Sequence, residues 1–312
     1  MTVIPAYSLI DHGTEKLWAE FKQMVRDLGW ISLDNTVLWA TPQLASTRCV
    51  FAQRDDDGSM LGCCVRNEHE GIAWIGYYMM QPSLRGAGIG SKIWSRTLER
   101  IRSKKQAMGL RAVSSMYEKY ASGDAPIEIS RIKKYLLTVE QMKEFCARYE
   151  HPVDRSIALY HELDEDQRLD LLRFDREVTR KDRSEWLGKM LASAETEVAV
   201  LLKGTKVSAY AAVSTIGHAD SNLFKIAPCF ASSVDEFASL VKQLMRWVEK
   251  HPPGAKIIIS LLTRSVGERE LTNTLGVPIT DELVTLFNEQ IETKMDLDRC
   301  FVPNNAHCYF DA

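Results

Sequence analysis

Glycines at positions 86, 88 and 90, with Arg85 before them and Ser91 and Lys92 after, are the residues of this chain best suited to hold an anion. Residues without a Cβ let backbone amides come close to a charged group, and a helix opening at the same point adds first-turn N–H groups that have no intrahelical acceptor. From Tyr77 to Trp94 the chain reads YYMMQPSLRGAGIGSKIW: an apolar strand-like run, a break at Pro82, the basic turn, then a helix-like run. A ligand carrying phosphates is the chemistry this order suits.

The wording of the turn separates the phosphate-binding options. A P-loop needs lysine directly after its last glycine, but Gly90 is followed by Ser91 and only then by Lys92. A dinucleotide fingerprint needs G-x-G-x-x-G and an acid about 20 residues on. Here the glycines are one residue too tight, and Lys104 and Lys105 stand where that acid would be sought. Arg85, Gly88 and Gly90 instead satisfy [QR]-x-x-G-x-[GA], and the fuller string with Pro82 after an apolar strand resembles the acetyl-CoA motif of the GNAT superfamily of N-acetyltransferases. A turn that only closes a strand onto a helix is the bland alternative.

Elements in the expected order surround the turn. Leu17, Trp18, Phe21, Met24, Val25 and Leu28 have the spacing of an amphipathic helix ended by Gly29. RCVFAQR, MLGCCVRN and IAWIGYYMM, separated by DDDGS and EHEG, read as an antiparallel meander. Ile89, Ile93, Trp94, Thr97, Leu98 and Ile101 predict a helix from about Gly88 to Lys105 whose basic end suits the helix dipole. LRAVSS, the short piece MYEKYAS and the strand APIEISRIKK follow.

Thr138 opens a capping-box spelling, T-V-E-Q, for a helix to about Tyr149 that His151-Pro152 stops. The same order then repeats in other words: RSIALY, the helix DEDQRLDLLRFDREV, a hairpin at Gly204, NLFKIAP, a helix capped by Ser233, KIIISLL, VGERELTNTLG and ELVTLFNE. Ile72 and Asn222, where the two third strands begin, lie one domain length apart. The expected fold is an α+β, three-layer GNAT type in two tandem copies, each a mixed, mainly antiparallel twisted sheet flanked by helices. Its division is 1–137 for the acetyl-CoA copy, 138–152 for a helical connector and 153–312 for a degenerate copy. The second copy has IAPCFASS in place of QPSLRGAGIG, without the arginine or the glycines, so close approach to a pyrophosphate is not expected there. V-T-R-K-D-R at 178–183 also resembles a run of that divergent type.

Composition narrows the partners. A net charge of −3 and 45% hydrophobic residues in 312 give no basic stripe for nucleic acid and allow two cores. No apolar run reaches the roughly 20 residues of a membrane span. Seven cysteines, Cys49, Cys63, Cys64, Cys146, Cys229, Cys300 and Cys308, lack C-x-x-C spacing and read as reduced thiols of a cytoplasmic or nuclear protein. Small core residues outrank a nucleophile or a metal site, and no metal is expected.

The resemblance implies roles for particular residues. Backbone groups of Tyr78 and Met80 would pair with the pantetheine arm, and amides from Arg85 through Gly86, Ala87, Gly88, Ile89 and Gly90 to Ser91 would cradle the pyrophosphate, with Arg85 adding charge and Ser91 capping the helix. A backbone N–H near Met79 or Met80 would polarise the thioester carbonyl. Y-E-K-Y resembles the segment that places a general-acid tyrosine near the CoA sulfur, which carries over to Tyr117, with Tyr120 second; the glycine is displaced to Gly123 and the usual phenylalanine is missing.

No carboxylate stands in IAWIGYYMM to act as base. Glu68, His69 and Glu70 belong to the preceding turn and are expected to be solvated. Asp182 or His218 of the second copy, or a water relay, are other sources, and Asp175, Asp182 and Arg183 either line an interdomain pocket or lie at a solvated helix end. The function implied is acetyl transfer from acetyl-CoA to a primary amine, of a small molecule, by direct attack in a ternary complex. A non-catalytic acyl-CoA sensor and a protein or peptide N-acetyltransferase are the alternatives.

Overall fold

The computed structural model describes residues 4–30, 34–150 and 154–304, so Cys308 and the stop at His151-Pro152 lie outside the described residues. Strand β1 (Tyr7–Ile10) leads to helix α1 (Glu15–Asp27), where the Thr14 hydroxyl accepts from Leu17 N and Leu17, Phe21 and Val25 form the buried stripe. A short helix α2 (Asn35–Ala40), capped by Asp34, was not foreseen from the sequence because one and a half turns leave too little periodicity to read. The meander follows as β2 (Thr47–Arg54), β3 (Met60–His69) and β4 (Ile72–Met80), and then α3 (Ile89–Ser103), β5 (Ala107–Val113), α4 (Tyr117–Ala121) and β6 (Ile127–Thr138). Thr138 and Gln141 close the expected capping box of α5 (Val139–Cys146).

The second copy repeats this plan: β7 (Ser156–Leu159), α6 (Glu165–Thr179), α7 (Ser184–Leu191), β8 (Thr196–Lys203), β9 (Lys206–Ile216), β10 (Leu223–Phe230), α8 (Val234–Val248), β11 (Lys256–Leu262), α9 (Val266–Leu271) and β12 (Ile279–Phe287). One more strand, β13 (Cys300–Val302), ends the described chain.

The copies share one sheet rather than packing two. Its order is β1-β2-β3-β4-β5-β12-β6-β11-β10-β9-β8-β7, with β13 on β10. Strand β12 of the second copy therefore lies between β5 and β6, and β6 of the first lies between β12 and β11. Leu283 of β12 faces Val113 of β5 on one side and Ile132 of β6 on the other, while Ile132 faces Leu262 of β11, so the exchange is close to two-fold. Each exchanged strand has both edges paired, which removes two open edges from the middle of the molecule.

Helices cover both faces. On one, α1, α2, α6 and α7 share a single core with the inward residues of β2, β3, β4, β8 and β9, including Phe21, Phe51, Tyr77, Trp186 and Tyr210. On the other, α3 and α4 pack on the first copy and α5, α8 and α9 on the second. Cys63 and Cys64 are both buried, on opposite faces. Burial pushes the Cys64 thiol up to about 11, so it is inert at neutral pH. Among the described residues no helix is long and apolar enough to cross a membrane.

Candidate active site

Strand β4 parts from β5 where the anion-binding turn needs it to. The parallel ladder runs from Ile72–Ala107 to Ile75–Leu110 and goes no further. At that point the register between β3 and β4 shifts by one across Gly76: Arg66 faces Ile75, but Val65 faces Tyr77. Such a bulge sharpens the local twist and re-aims the strand. Tyr78 and Met80 then continue along β3 while their other edge leaves β5, a backbone edge of the kind an extended amide-bearing ligand can pair with. Their side chains pack on the α3 face, and Met79 is buried in the opposite core.

At the mouth of this opening Gly86 and Gly88 have φ of +85° and +83°, and a Cβ on either would meet nothing within 4 Å. The left-handed turn leads into α3 with Gly88 as its N-cap. Arg85 N and Ala87 N donate within the turn, to Pro82 O at 3.3 Å and Leu84 O at 3.2 Å, so the cradle narrows to the amides nearest the helix. Lys92 N bonds back to Gly88 O, which places Ile89, Gly90 and Ser91 in the first turn with their N–H groups toward the opening. Ser91 is not the cap: it is the third helical residue, three positions beyond the N-cap Gly88. A Cβ on Gly90 would stand 2.7 Å from the Tyr78 hydroxyl, so that glycine serves helix-to-strand packing. These residues fit acetyl-CoA: open glycines and first-turn amides for phosphates, a free-running strand edge for the arm.

Helix α4 sets Tyr120 beside this opening and holds Tyr117 on the same face of the sheet. The Trp94 ring lies 5.2 Å from Tyr78 and 5.4 Å from Tyr120, and Lys119 Nζ sits 5.7 Å over the Tyr78 ring. Trp94 Nε1 donates to Asp124 at 2.8 Å, which ties the segment following α4 to α3. Burial pushes the Tyr120 phenol well above its ordinary range, so it stays protonated and is a poor proton source. The Tyr117 hydroxyl is 3.4 Å from Glu128, which Arg131 grips at 2.6 and 3.0 Å; Arg131 also donates to Glu282 of β12 at 2.8 Å. Only the strand exchange puts Glu282 there, and no local pattern in the sequence signals it.

The other acid and base candidates fall elsewhere. Glu68 is not solvated: its side chain is 7% exposed and faces Arg66, Arg48 and Lys104. Burial raises its carboxyl, but the Lys104 hydrogen bond and the charges of Arg66, Lys104 and Arg48 hold it below the usual range. With β4 running away from it toward Met80, Glu68 is a structural ion at the far end of the sheet. Glu70 is exposed in the hairpin turn. Asp175 and Arg183 lie neither at a solvated end nor in a pocket: Arg183 Nη2 donates to Asp175 Oδ1 at 2.5 Å, the Tyr210 hydroxyl donates to the same oxygen at 2.5 Å, and all three are buried. Asp182 accepts from Ser184 N at the surface, and His218 is 3.6 Å from Asp27.

The second copy has the same parting of strands, filled with protein. The β10–β11 ladder stops at Ile226–Ile259, and after the register shift Cys229 and Phe230 pair with Val302 and Cys300 of β13. A Cβ on Gly267 would overlap the Phe301 carbonyl, so α9 closes tightly over this strand. At the start of α8 the buried Glu236 carboxylate accepts from Ser232 N at 2.7 Å and meets the Arg155 guanidinium. A strand thus fills this opening, and a carboxylate stands at the start of the helix that follows it.

Pairing halves, parted strands and a helix-opening glycine turn together decide the architecture. The fold is that of tandem GNAT proteins. A tandem GNAT protein from the clavulanic acid biosynthesis pathway superposes with a TM-score of 0.68, over 92% of this chain and 100% of that one, at 10% identity. A GCN5-related N-acetyltransferase from Sphaerobacter thermophilus gives 0.60 over 93% and 98%, at 14% identity. In sequence, the chain is 29% identical over 300 residues to uncharacterized protein F36G3.2 of Caenorhabditis elegans, covering 95% of this chain and 94% of that one. No family model matches. Among the described residues of this tandem GNAT fold, no group of three or more His, Cys, Asp or Glu side chains could hold a metal ion.

Proposed function

We propose that the chain transfers an acetyl group from acetyl-CoA to a primary amine of a small molecule, by direct attack in a ternary complex. The opening between β4 and β5 beyond Ile75, with Gly88 and the first turn of α3 at its mouth, is the observation that carries this reading. When bound, acetyl-CoA supplies an acyl thioester. The amides of Ile89, Gly90 and Ser91, with Arg85 nearby, would hold its phosphates. The free edge of Tyr78 and Met80 would hold its arm, and a backbone N–H of Met79 or Met80 would polarise the carbonyl.

When the amine attacks the thioester, a C–N bond would form as the C–S bond breaks; Tyr117 would give its proton to the departing sulfur, the ammonium proton would pass to water, and the phenolate would be reprotonated from solvent. Tyr120 would orient rather than donate, because its buried phenol holds its proton too tightly. Cys49, Cys63, Cys64, Cys146 and Cys229, buried as free thiols, suit a cytoplasmic setting.

Strand β4 carries no carboxylate, and this observation favours the second reading, a non-catalytic acyl-CoA sensor. Release of free CoA thiol from acetyl-CoA, measured against a panel of small primary amines and against acceptor peptides, separates them. Thiol release with at least one small amine is expected. Tight CoA binding without release on any acceptor would replace the enzyme by the sensor, and release with peptides alone would move the acceptor class to proteins.

A further inference from the structure

Helix α1 of the first copy ends against the second copy. Its last-turn Arg26, with Asn35 at the start of α2, meets the end of β9 and the start of β10 around a cavity of about 340 Å³, the lower end of the range for small-molecule sites. Between β4 and β10 the sheet holds β5, β12, β6 and β11, roughly 24 Å at the ordinary strand spacing, so this cavity stands apart from the cofactor opening. A chain of polar groups crosses its wall: Arg26 Nη2 donates to Asn35 Oδ1 at 3.4 Å, Asn35 Nδ2 donates to Thr215 Oγ1 at 3.0 Å, and the Thr215 hydroxyl donates to Glu195. Asn35 is 8% exposed, which fixes the link between the two charges. Among the described residues neither Arg26 nor Glu195 has an oppositely charged side chain within ion-pair reach. On the β10 side Asn222 donates to Pro252 O at 2.9 Å and Pro253 O at 3.1 Å, and the His251 ring is held edge-on by Phe224 at 4.8 Å and Trp247 at 4.7 Å. His251 Nδ1 lies 3.2 Å from Trp247 O; with the proton there, Nε2 is an acceptor.

We propose that this cavity binds a small zwitterion of the α-amino-acid class, its carboxylate on Arg26 and its ammonium on Glu195, with His251 as a further acceptor. Two charges of opposite sign, tied to each other only through Asn35 and Thr215, complement a molecule that carries both. A simple anion would meet Glu195 and a simple amine would meet Arg26, each at a cost, so the pair selects against ligands of a single charge. Arg26 and Asn35 belong to the first copy and Glu195, Asn222 and His251 to the second, so the site exists only where the copies meet. The assignment does not depend on acetyl transfer.

The test is equilibrium binding without acetyl-CoA, by ligand-observed NMR and calorimetry, of the standard L-amino acids taken singly. At least one is expected to bind at one per chain, and its carboxamide and its deaminated acid should each bind about 10-fold or more weaker, the scale of one charge-assisted hydrogen bond. Arg26→Gln should weaken the amino acid about 10-fold or more while leaving the carboxamide within about twofold. Glu195→Gln should do the same relative to the deaminated acid. Arg180→Gln is the control: it lines a cavity of about the same volume at the start of β4, beside Glu70, Glu289 and Glu292, and should bind as wild type does. Absence of binding by every amino acid, equal binding of the amino acid and either analogue, or undiminished binding in folded Arg26→Gln and Glu195→Gln overturns the assignment, and so does a loss in Arg180→Gln equal to that in Arg26→Gln. If urea unfolding shows that Arg26→Gln is not folded, Glu195→Gln, at an exposed position, decides alone.

Discussion

Replacing Gly88 by leucine tests the cofactor site with a built-in control elsewhere in the fold. Gly88 has φ +83° and Gly71, in the hairpin between β3 and β4, has φ +82°; a Cβ on either would meet nothing within 4 Å. The intrinsic penalty for a side chain is therefore the same at both, roughly 1–2 kcal/mol for leaving glycine in a left-handed conformation. Gly71→Ala and Gly88→Ala should lose comparable stability in urea unfolding. They should differ in ligand binding, because strain at Gly88 is relieved by turning the peptide that starts α3 and with it the first-turn amides. Losing roughly 1–2 kcal/mol of anion binding weakens CoA affinity about 5- to 30-fold in Gly88→Ala. Gly88→Leu, whose side chain also enters the open space, should lose about 100-fold or more. Gly71→Ala should bind CoA as wild type does in isothermal titration calorimetry. A folded Gly88→Leu protein with unchanged CoA affinity, or Gly71→Ala weakening binding as much as Gly88→Ala, would refute the placement of the site.

Because β13 and Glu236 fill the second opening, titration should give one CoA per chain, and a stoichiometry of two would contradict that closure. Tyr117→Phe should lower kcat by about 100-fold, as loss of a general acid does, with a smaller loss in Tyr120→Phe; the reverse order in steady-state kinetics would exchange their roles. Arg183→Met leaves the buried Asp175 carboxylate without its ion pair and should destabilise by roughly 3–5 kcal/mol, against at most about 0.5 for Asp182→Asn, read from denaturant midpoints.

The hydrogen bond from Arg96, then that from Arg100, holds the Asp11 carboxyl down at about 2 against the outward pull of desolvation. A depressed folded-state pKa stabilises above the unfolded value and is lost as pH falls through the folded one. The cost of Asp11→Asn should therefore be present at neutral pH and fade between about pH 4 and 2; with these groups about a third exposed, solvent screening keeps it under about 1 kcal/mol. A cost that persists below pH 2 would show that the ion pair is not its source.

Much of the fold was legible because the signals were local. The spacing of Leu17, Phe21 and Val25, the T-V-E-Q box and the turn at Gly204 each specify an element by chemistry within a few residues, and each element formed where expected. The glycine turn was equally local, since positive φ at Gly86 and Gly88 is a demand on single residues. Ser91 as a cap was a misplacement of three positions, at a boundary that depends on where the left-handed turn ends. Glu68 read as solvated, and Asp175 and Arg183 as pocket-lining or solvated, because charge alone gives no sign of burial; Lys104, which meets Glu68, and Tyr210, which meets Asp175, lie 36 and 35 residues away.

The sequence by itself determined the two-copy plan, the strand-turn-helix order around Gly88 and the loss of that turn in the second copy, all of which rest on short-range sterics and periodicity. Tertiary structure alone decided which strand lies beside which. Backbone hydrogen bonds pair any strand with any other, so nothing in the residues of β12 announces a place between β5 and β6, or in Cys300–Val302 a place on β10. Those pairings bring Thr285 to Arg111 and Glu282 to Arg131. They tie the two copies together through exchanged strands, with the second opening filled from within.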